Sequence, residues 1–139
     1  QKQLPPNTIL TPHPKEFERL FGPSDNDFAR LELLAAKAHE LNVIIILKTG
    51  MTAIALPSGK IYFNVIGNPG MGTAGAGDVL TGILTGLLAQ GYQPADAARL
   101  GVYLHALAGD IAAEELEQES LLSEDIIACL GSAYKRLKK

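Results

Sequence analysis

The chain has 139 residues, enough for one ordinary domain, and 47% of them are hydrophobic while 19% are charged. This composition excludes a disordered segment, because enough apolar side chains are present to build a packed core. The net charge of −3, without any basic stripe, argues against nucleic acid as a partner. The uncharged stretch at residues 79–95 is too short and too often interrupted for a membrane span, so we expect no membrane partner either.

The single cysteine, Cys129, permits no internal disulfide bond. A chain of this kind suits a reducing compartment, so we expect a cytoplasmic protein. Cys129 lies in an apolar helical pattern and is interpreted as a core thiol. The basic end of the chain, Lys135 to Lys139, is interpreted as a solvated helix terminus. The acidic stretch at residues 114–119 is interpreted as a solvated helix face.

The first half of the chain predicts a strand at residues 7–10, a helix that opens at Pro14, and a second helix over residues 27–41 capped by Ser24 or Asp25. Residues 43–47 form a continuous run of β-branched and leucine side chains. Such a run is typical of a strand covered on both faces, as in a parallel sheet. A strand, helix and strand in this order predict a parallel crossover.

The second half begins with two strand-like runs, residues 52–56 and 61–65, around a Pro-Ser-Gly-Lys turn. This pattern predicts a hairpin. Helices follow to about residue 89, over 94–117, and over 124–137 with Ser123 as the cap. The fold class is therefore α/β, with a mainly parallel sheet and an appended hairpin. So few strands for so many helices, and a start at Gln1 rather than Met, predict a piece of a longer chain.

The glycine-rich stretch from Gly67 to Gly82 contains one acid, Asp78, followed at once by an apolar run. Glycine lets the backbone approach a ligand closely, and the first amides of a helix attract anions. The stretch lacks the ending of a Walker A loop and the distant acid of a dinucleotide fingerprint. A turn built for tight helix packing is the alternative. Because an acid stands at the helix start, we favour an anion site in which Asp78 takes a proton from a hydroxyl.

Three other sites remain open on spacing alone. His13 and Glu16, after the first strand, are either a ligand contact and a holder of a hydrated metal, or a turn residue and a first-turn dipole partner. Residues 48–52, after the apolar strand, either meet a nucleotide or form a plain turn, and taken alone the turn is favoured. His105 and Asp110 could be a catalytic pair, but we expect them to satisfy backbone groups where helices pack closely.

Two levels of resemblance follow from these residues. Gly75-Ala76-Gly77-Asp78 resembles the anion-hole and catalytic-Asp motif of the ribokinase-like superfamily. Four motifs together resemble the ADP- or ATP-dependent NAD(P)H-hydrate dehydratases: Thr11-Pro12-His13-Pro14-x-Glu16, Gly67-Asn68-Pro69-Gly70-Met71, Gly77-Asp78-Val79-Leu80-Thr81-Gly82 and Tyr103-Leu104-His105-x-Leu107-Ala108-Gly109-Asp110.

The resemblance implies a three-layer α/β/α ribokinase-like sandwich, of which residues 1–139 would be the C-terminal portion without the N-terminal half. It implies repair of the S-epimer of hydrated NADH or NADPH. ADP or ATP, with Mg²⁺, would phosphorylate the ring hydroxyl, and elimination of phosphate would restore NAD(P)H. We expect a homo-oligomer, and we expect the isolated chain to be inactive. A ribokinase-like kinase for a vitamin precursor or sugar, and a non-catalytic nucleotide-binding module, are the alternatives.

The resemblance also implies a role for each matching residue. Asp78 would be the catalytic base and would contact the substrate together with His13. Glu16 would hold Mg²⁺ through water. The anion hole would comprise the amides of Gly75, Ala76 and Gly77. The nucleotide would be contacted by Lys48, Thr49, Gly50, Met51, Thr52 and Gly77.

Overall fold

The structure is a computed structural model, and it describes residues 3–138. The chain is a mixed α/β protein that divides into two compact units. The first unit runs to Asn64 and includes Gln93–Ala98, and the second comprises Val65–Tyr92 and the residues from Arg99 onward. In chain order the elements are β1 (Ile9–Leu10), α1 (Pro14–Phe21), α2 (Asp27–Leu41), β2 (Ile44–Leu47), β3 (Thr52–Ala55), β4 (Ile61–Asn64), α3 (Ala76–Ala89), α4 (Pro94–Leu116), α5 (Ser123–Ala128) and α6 (Leu130–Leu137).

The sheet of the first unit has the strand order β1-β2-β3-β4. β1 and β2 run parallel, with Ile9 opposite Ile44, while β2, β3 and β4 pair antiparallel. The parallel crossover and the hairpin are thus confirmed, and the parallel pairing is confined to β1 and β2. Every residue of β2 is at most 1% exposed, which confirms that this strand is covered on both faces.

One core of the first unit lies between its helices and one face of the sheet. Phe17 of α1 and Leu34 and Ala38 of α2 pack with side chains of the strands, namely Val43, Ile45, Leu47, Ala53 and Ala55. The alternation of Ile45 and Leu47 follows the two-residue period of a strand. α1 begins at Pro14, as predicted, because the fixed φ of proline suits the first helical turn.

The predicted cap of α2 is wrong by one or two residues. Asn26, rather than Ser24 or Asp25, accepts a hydrogen bond through its side chain from the Ala29 amide at 2.8 Å. The side chain of the residue directly before the helix is the one that reaches the third helical amide. Ser24, Asp25 and Asn26 are all residue types that cap helices. Which of them does so depends on the path of the backbone into the helix.

The predicted single helix over residues 124–137 is also wrong. The helix is interrupted at Cys129 (φ −93°, ψ 0°), which separates α5 from α6. Ser123 lies inside α5 instead of capping it, and the Asp125 carboxylate accepts a hydrogen bond from the Leu122 amide at 2.8 Å. An acid at the third helical position can reach back to the cap amide in this way.

Cys129 is 8% exposed at this break. Burial, chiefly, and the nearby Glu115 and Asp125 carboxylates raise the pKa of its thiol. A protonated buried thiol is a poor nucleophile, so the interpretation as a core thiol is confirmed. The solvated acidic face is confirmed too, because Glu114 and its acidic neighbours are exposed. The basic last turn of α6 is confirmed as far as Lys138, and Lys139 lies outside the described residues.

In the second unit, α3 and α4 approach closely at Gly101. A Cβ placed on Gly101 would lie 2.6 Å from Cδ2 of Leu84 and 3.5 Å from Cδ1 of Leu87. Small residues permit such close packing of two helices. None of the helices within residues 3–138 has the length and apolarity needed to cross a membrane.

Replacing Gly101 with Ala should lower the free energy of unfolding by about 1–3 kcal/mol, because the added methyl overpacks the contact with Leu84. Urea unfolding measures the effect. Gly131→Ala is the control, since Gly131 is exposed on α6 and a Cβ there meets no atom within 4 Å. That variant should be neutral or slightly more stable, as alanine favours a helix. Equal stability of the two variants would contradict the close packing at Gly101.

Candidate functional site

The glycine-rich stretch forms a short 3₁₀ turn at Pro69–Met71 and then enters α3 through Gly75. Gly75 has φ +87°, in the left-handed region that favours glycine. A Cβ on Gly75 would also lie 3.0 Å from the Ser123 hydroxyl oxygen. The backbone angle therefore requires glycine at this position, and a Cβ there would also crowd Ser123.

The first amides of α3 differ in whether they find an acceptor. The Ala76 amide donates to the Thr73 carbonyl oxygen at 3.2 Å, and the Val79 amide donates to the Gly75 carbonyl oxygen at 3.1 Å. Within the described part of the chain, the amides of Gly75, Gly77 and Asp78 donate to no acceptor. These donors lie at the positive end of the helix dipole, so they suit an anion. Ala76, expected among the anion-hole donors, has its amide engaged within the loop.

Asp78 is the third residue of α3 and is exposed. It lies at one end of a groove of 520 Å³ that follows one face of α3. This volume is typical of a small-molecule site, as is a largely apolar wall with a few polar groups. The groove is lined by Gly75, Asp78, Val79, Gly82, Ile83, Gly86, Leu87 and Gln90 on one side and by Ser123, Ile127, Leu130 and Tyr134 on the other.

Two side chains of α4 hold the glycine-rich stretch. The Asp110 carboxylate accepts hydrogen bonds from the Gly67 amide at 3.1 Å and from the Asn68 side-chain amide at 2.8 Å. Nε2 of His105 lies 3.0 Å from the carbonyl oxygen of Ala76. The expectation that His105 and Asp110 satisfy backbone groups is confirmed. The sequence did not identify Asn68 or Ser123 as parts of this arrangement. Asn68 has its partner, Asp110, 42 residues away in the chain, and Ser123 approaches Gly75 from a different helix.

In the first unit, His13 and Glu16 form a reciprocal cap on α1. Nδ1 of His13 accepts a hydrogen bond from the Glu16 amide at 3.2 Å, and Oε1 of Glu16 accepts one from the His13 amide at 3.1 Å. Oε1 also lies 3.1 Å from Nε2 of His13. Since Nδ1 is an acceptor, the proton of a neutral ring lies on Nε2. Both residues thus have a structural task in the helix start.

The turn after β2 lies beside this cap. The Lys48 amide donates to the Pro12 carbonyl oxygen at 3.1 Å, and the Thr49 hydroxyl donates to the Met51 carbonyl oxygen. The hydrogen bond from the His13 backbone, chiefly, lowers the pKa of Glu16. Burial opposes this shift, and the charges of His13, Lys48 and Arg19 lower the pKa further. The first unit therefore brings His13, Glu16 and Lys48 together at the carboxyl ends of β1 and β2.

A magnesium ion fits this donor set only through water. Glu16 offers an ionised, half-exposed carboxylate, and Mg²⁺ commonly keeps its water shell while it binds one carboxylate and substrate phosphates. Among residues 3–138, no three or more His, Cys, Asp or Glu side chains lie close enough to hold an ion directly.

The fold and the glycine-rich loop define a protein of the ribokinase-like class. The chain superimposes on the ribokinase of Thermotoga maritima with a TM-score of 0.55 and 26% identity, over 88% of this chain and 42% of that one. Residues 1–131 match the NAD(P)H-hydrate dehydratase family, and the chain belongs to this family.

Two relatives show how much of the family's length is covered. The bifunctional NAD(P)H-hydrate repair enzyme Nnr of Moorella thermoacetica is 45% identical over 133 residues, which are 94% of this chain and 25% of that protein. The ADP/ATP-dependent NAD(P)H-hydrate dehydratase of Bacillus subtilis, co-crystallised with ATP and Mg²⁺, superimposes with a TM-score of 0.87 and 35% identity, over 94% of this chain and 49% of that one. The chain therefore spans a quarter to a half of the length of these relatives.

Glu16→Gln should reduce stability in a pH-dependent way. Because folding lowers the pKa of Glu16 below its ordinary 4.5, the stabilisation is present above pH 4.5 and is lost as pH falls through the lower folded value. The difference in Tm between the wild type and the variant should therefore be largest near neutral pH and shrink in acid. Glu18→Gln, in the same helix but outside the cap, is the control. A difference that persists unchanged in acid would contradict the assignment.

Proposed function

We propose that the chain is part of an enzyme that dehydrates the S-epimer of hydrated NADH and NADPH at the expense of ADP or ATP. The observation that carries the proposal is the start of α3, where the carboxylate of Asp78 and the amides of Gly75 and Gly77 stand together. Asp78 also lies at one end of a groove large enough for a small molecule. Membership of the NAD(P)H-hydrate dehydratase family supports the choice of substrate.

The chemistry explains why an acid and an anion site belong together. Asp78 accepts the proton of the ring hydroxyl while the hydroxyl oxygen attacks the terminal phosphorus of the nucleotide. The bond from that phosphorus to the nucleotide oxygen breaks, and the amides of Gly75 and Gly77 stabilise the charge on the phosphoryl group. Phosphate, a far better leaving group than hydroxide, then departs with the C–O bond electrons. The ring loses a proton and recovers the double bond of NAD(P)H.

The remaining residues are assigned by the same proposal. The turn at Lys48, Thr49, Gly50, Met51 and Thr52 contacts the nucleotide, with Gly77 as a second contact. His13 binds the hydrated nicotinamide with Asp78. Glu16 holds a hydrated Mg²⁺, which would neutralise nucleotide phosphates when bound. The Ala76 amide already donates to the Thr73 carbonyl oxygen. We therefore assign the anion-hole donors to the amides of its neighbours, Gly75 and Gly77.

We further propose that these residues are the C-terminal part of a larger catalytic domain, because the chain spans 49% of the Bacillus subtilis relative. The complete enzyme would act as a homo-oligomer in the cytoplasm, where hydrated reduced cofactors would need repair and a thiol such as Cys129 stays reduced.

Asp78→Asn in the full-length protein should lower the rate of dehydration about 10²–10⁴-fold, because an amide cannot accept the hydroxyl proton. Recovery of reduced-nicotinamide absorbance from the hydrated cofactor measures turnover. Binding of ADP, read from thermal stabilisation, should survive. Asp96→Asn is a matched control, since Asp96 is also the third residue of its helix, α4, and is exposed.

Unchanged turnover in Asp78→Asn would remove Asp78 from the mechanism. A phosphorylated product that accumulates, without recovery of NADH, would indicate a small-molecule kinase of the ribokinase-like class instead. If ADP, ATP and AMP do not change the Tm of the full-length protein, the result would indicate a non-catalytic assembly module.

The isolated residues 1–139 should show no dehydration of hydrated NADH. The chain covers only 49% of the Bacillus subtilis relative, so part of the substrate site is expected outside it. The same assay with the full-length protein is the control. A normal turnover rate from the isolated residues would contradict this division of the site.

A further inference from the structure

One segment of α4, from His105 to Asp110, contacts the glycine-rich stretch at three places. Asp110 holds the start of that stretch at Gly67 and Asn68. A Cβ on Gly109 would lie 2.3 Å from Sδ of Met71, so the middle of the stretch packs directly on the helix. His105 contacts the stretch at Ala76, where it enters α3.

The contact of His105 with Ala76 reaches one particular peptide group. A carbonyl oxygen can only accept, so Nε2 of His105 donates its proton to the Ala76 oxygen. That oxygen belongs to the peptide unit whose N–H is the amide of Gly77. The Gly77 amide, in turn, donates to no acceptor within residues 3–138.

Two consequences follow for the Gly77 amide. A peptide unit is planar, so a hydrogen bond that fixes the carbonyl also fixes the direction of the N–H at its other end. Hydrogen bonds in a chain polarise one another, so donation to the Ala76 oxygen makes the Gly77 N–H a stronger donor. The other side of Ala76 is held as well, because its own amide donates to Thr73.

We propose that His105 is a positioning residue for the anion site: through the Ala76 carbonyl it orients and polarises the Gly77 amide that receives the transferring phosphoryl group. This role rests on the function proposed above. Asp110 anchors the opposite end of the stretch, so the stretch is held from α4 at both of these places.

The test compares His105→Leu with His105→Gln in the full-length protein. Leucine fills space without a donor, while the side-chain amide of glutamine has the length to donate to the Ala76 oxygen. In His105→Leu, kcat for hydrated NADH should fall on the order of ten- to a hundredfold while KM changes little, because a misplaced donor chiefly weakens the transition state. His105→Gln should recover most of the rate.

A second readout does not depend on turnover. In ¹⁵N-labelled protein, the Gly77 amide resonance should shift in His105→Leu and return towards the wild-type position in His105→Gln. If the wild-type protein does not dehydrate hydrated NADH, the proposed function fails, and the Gly77 resonance then decides the role of His105 by itself.

Three results would overturn the positioning role. One is a Gly77 resonance that does not move in His105→Leu. Another is a normal kcat in that variant when the wild type turns over. The third is an equal loss of rate in both variants, which would indicate an acid–base role if folding is intact and a merely structural role if both variants melt at lower temperature.

Discussion

The glycine-rich loop, for which we propose an anion site made of backbone amides, depends on hydrogen bonds to a neighbouring helix, and this constraint governs the second unit. Gly75 has a positive φ and little room for a Cβ beside Ser123, so the loop allows a ligand to approach its backbone closely but is less rigid. The missing support comes from α4, where Asp110 and His105 accept from and donate to the loop's own backbone. The amides of Gly75 and Gly77 at the start of α3 remain available, while the stretch is held on α4 at Gly67 and Ala76.

In the first unit, two residues combine a structural role with a proposed role in ligand binding. His13 and Glu16 begin α1 by capping each other, and the same two residues are the ones assigned to substrate and metal. Structural and functional readings of this pair are therefore compatible. The cap keeps Glu16 ionised, since a hydrogen bond from the His13 amide lowers its pKa, and an ionised carboxylate is what a hydrated cation requires. The cost is that one oxygen, Oε1, is already shared with His13.

Much of the fold could be predicted because its signals are local. Pro14 opens α1, the bounds of α2 are those expected from its apolar face, and the run over residues 43–47 became the buried strand β2. The errors fall where several residues could do the same task. Asn26 rather than its neighbours caps α2, and the last helix breaks at Cys129. No periodicity in the sequence distinguishes a bent helix from a straight one, since both bury the same face.

By itself the sequence determined that a glycine-rich loop with one acid precedes a buried helix, and its motifs placed the chain in a family. It did so because glycine, a helix start and an acid act through local backbone chemistry. Only the tertiary structure decided which amides remain available. The Ala76 amide turns back to Thr73 and its carbonyl meets His105, 29 residues away. Such long-range partners depend on how α4 packs, and no local pattern encodes that choice.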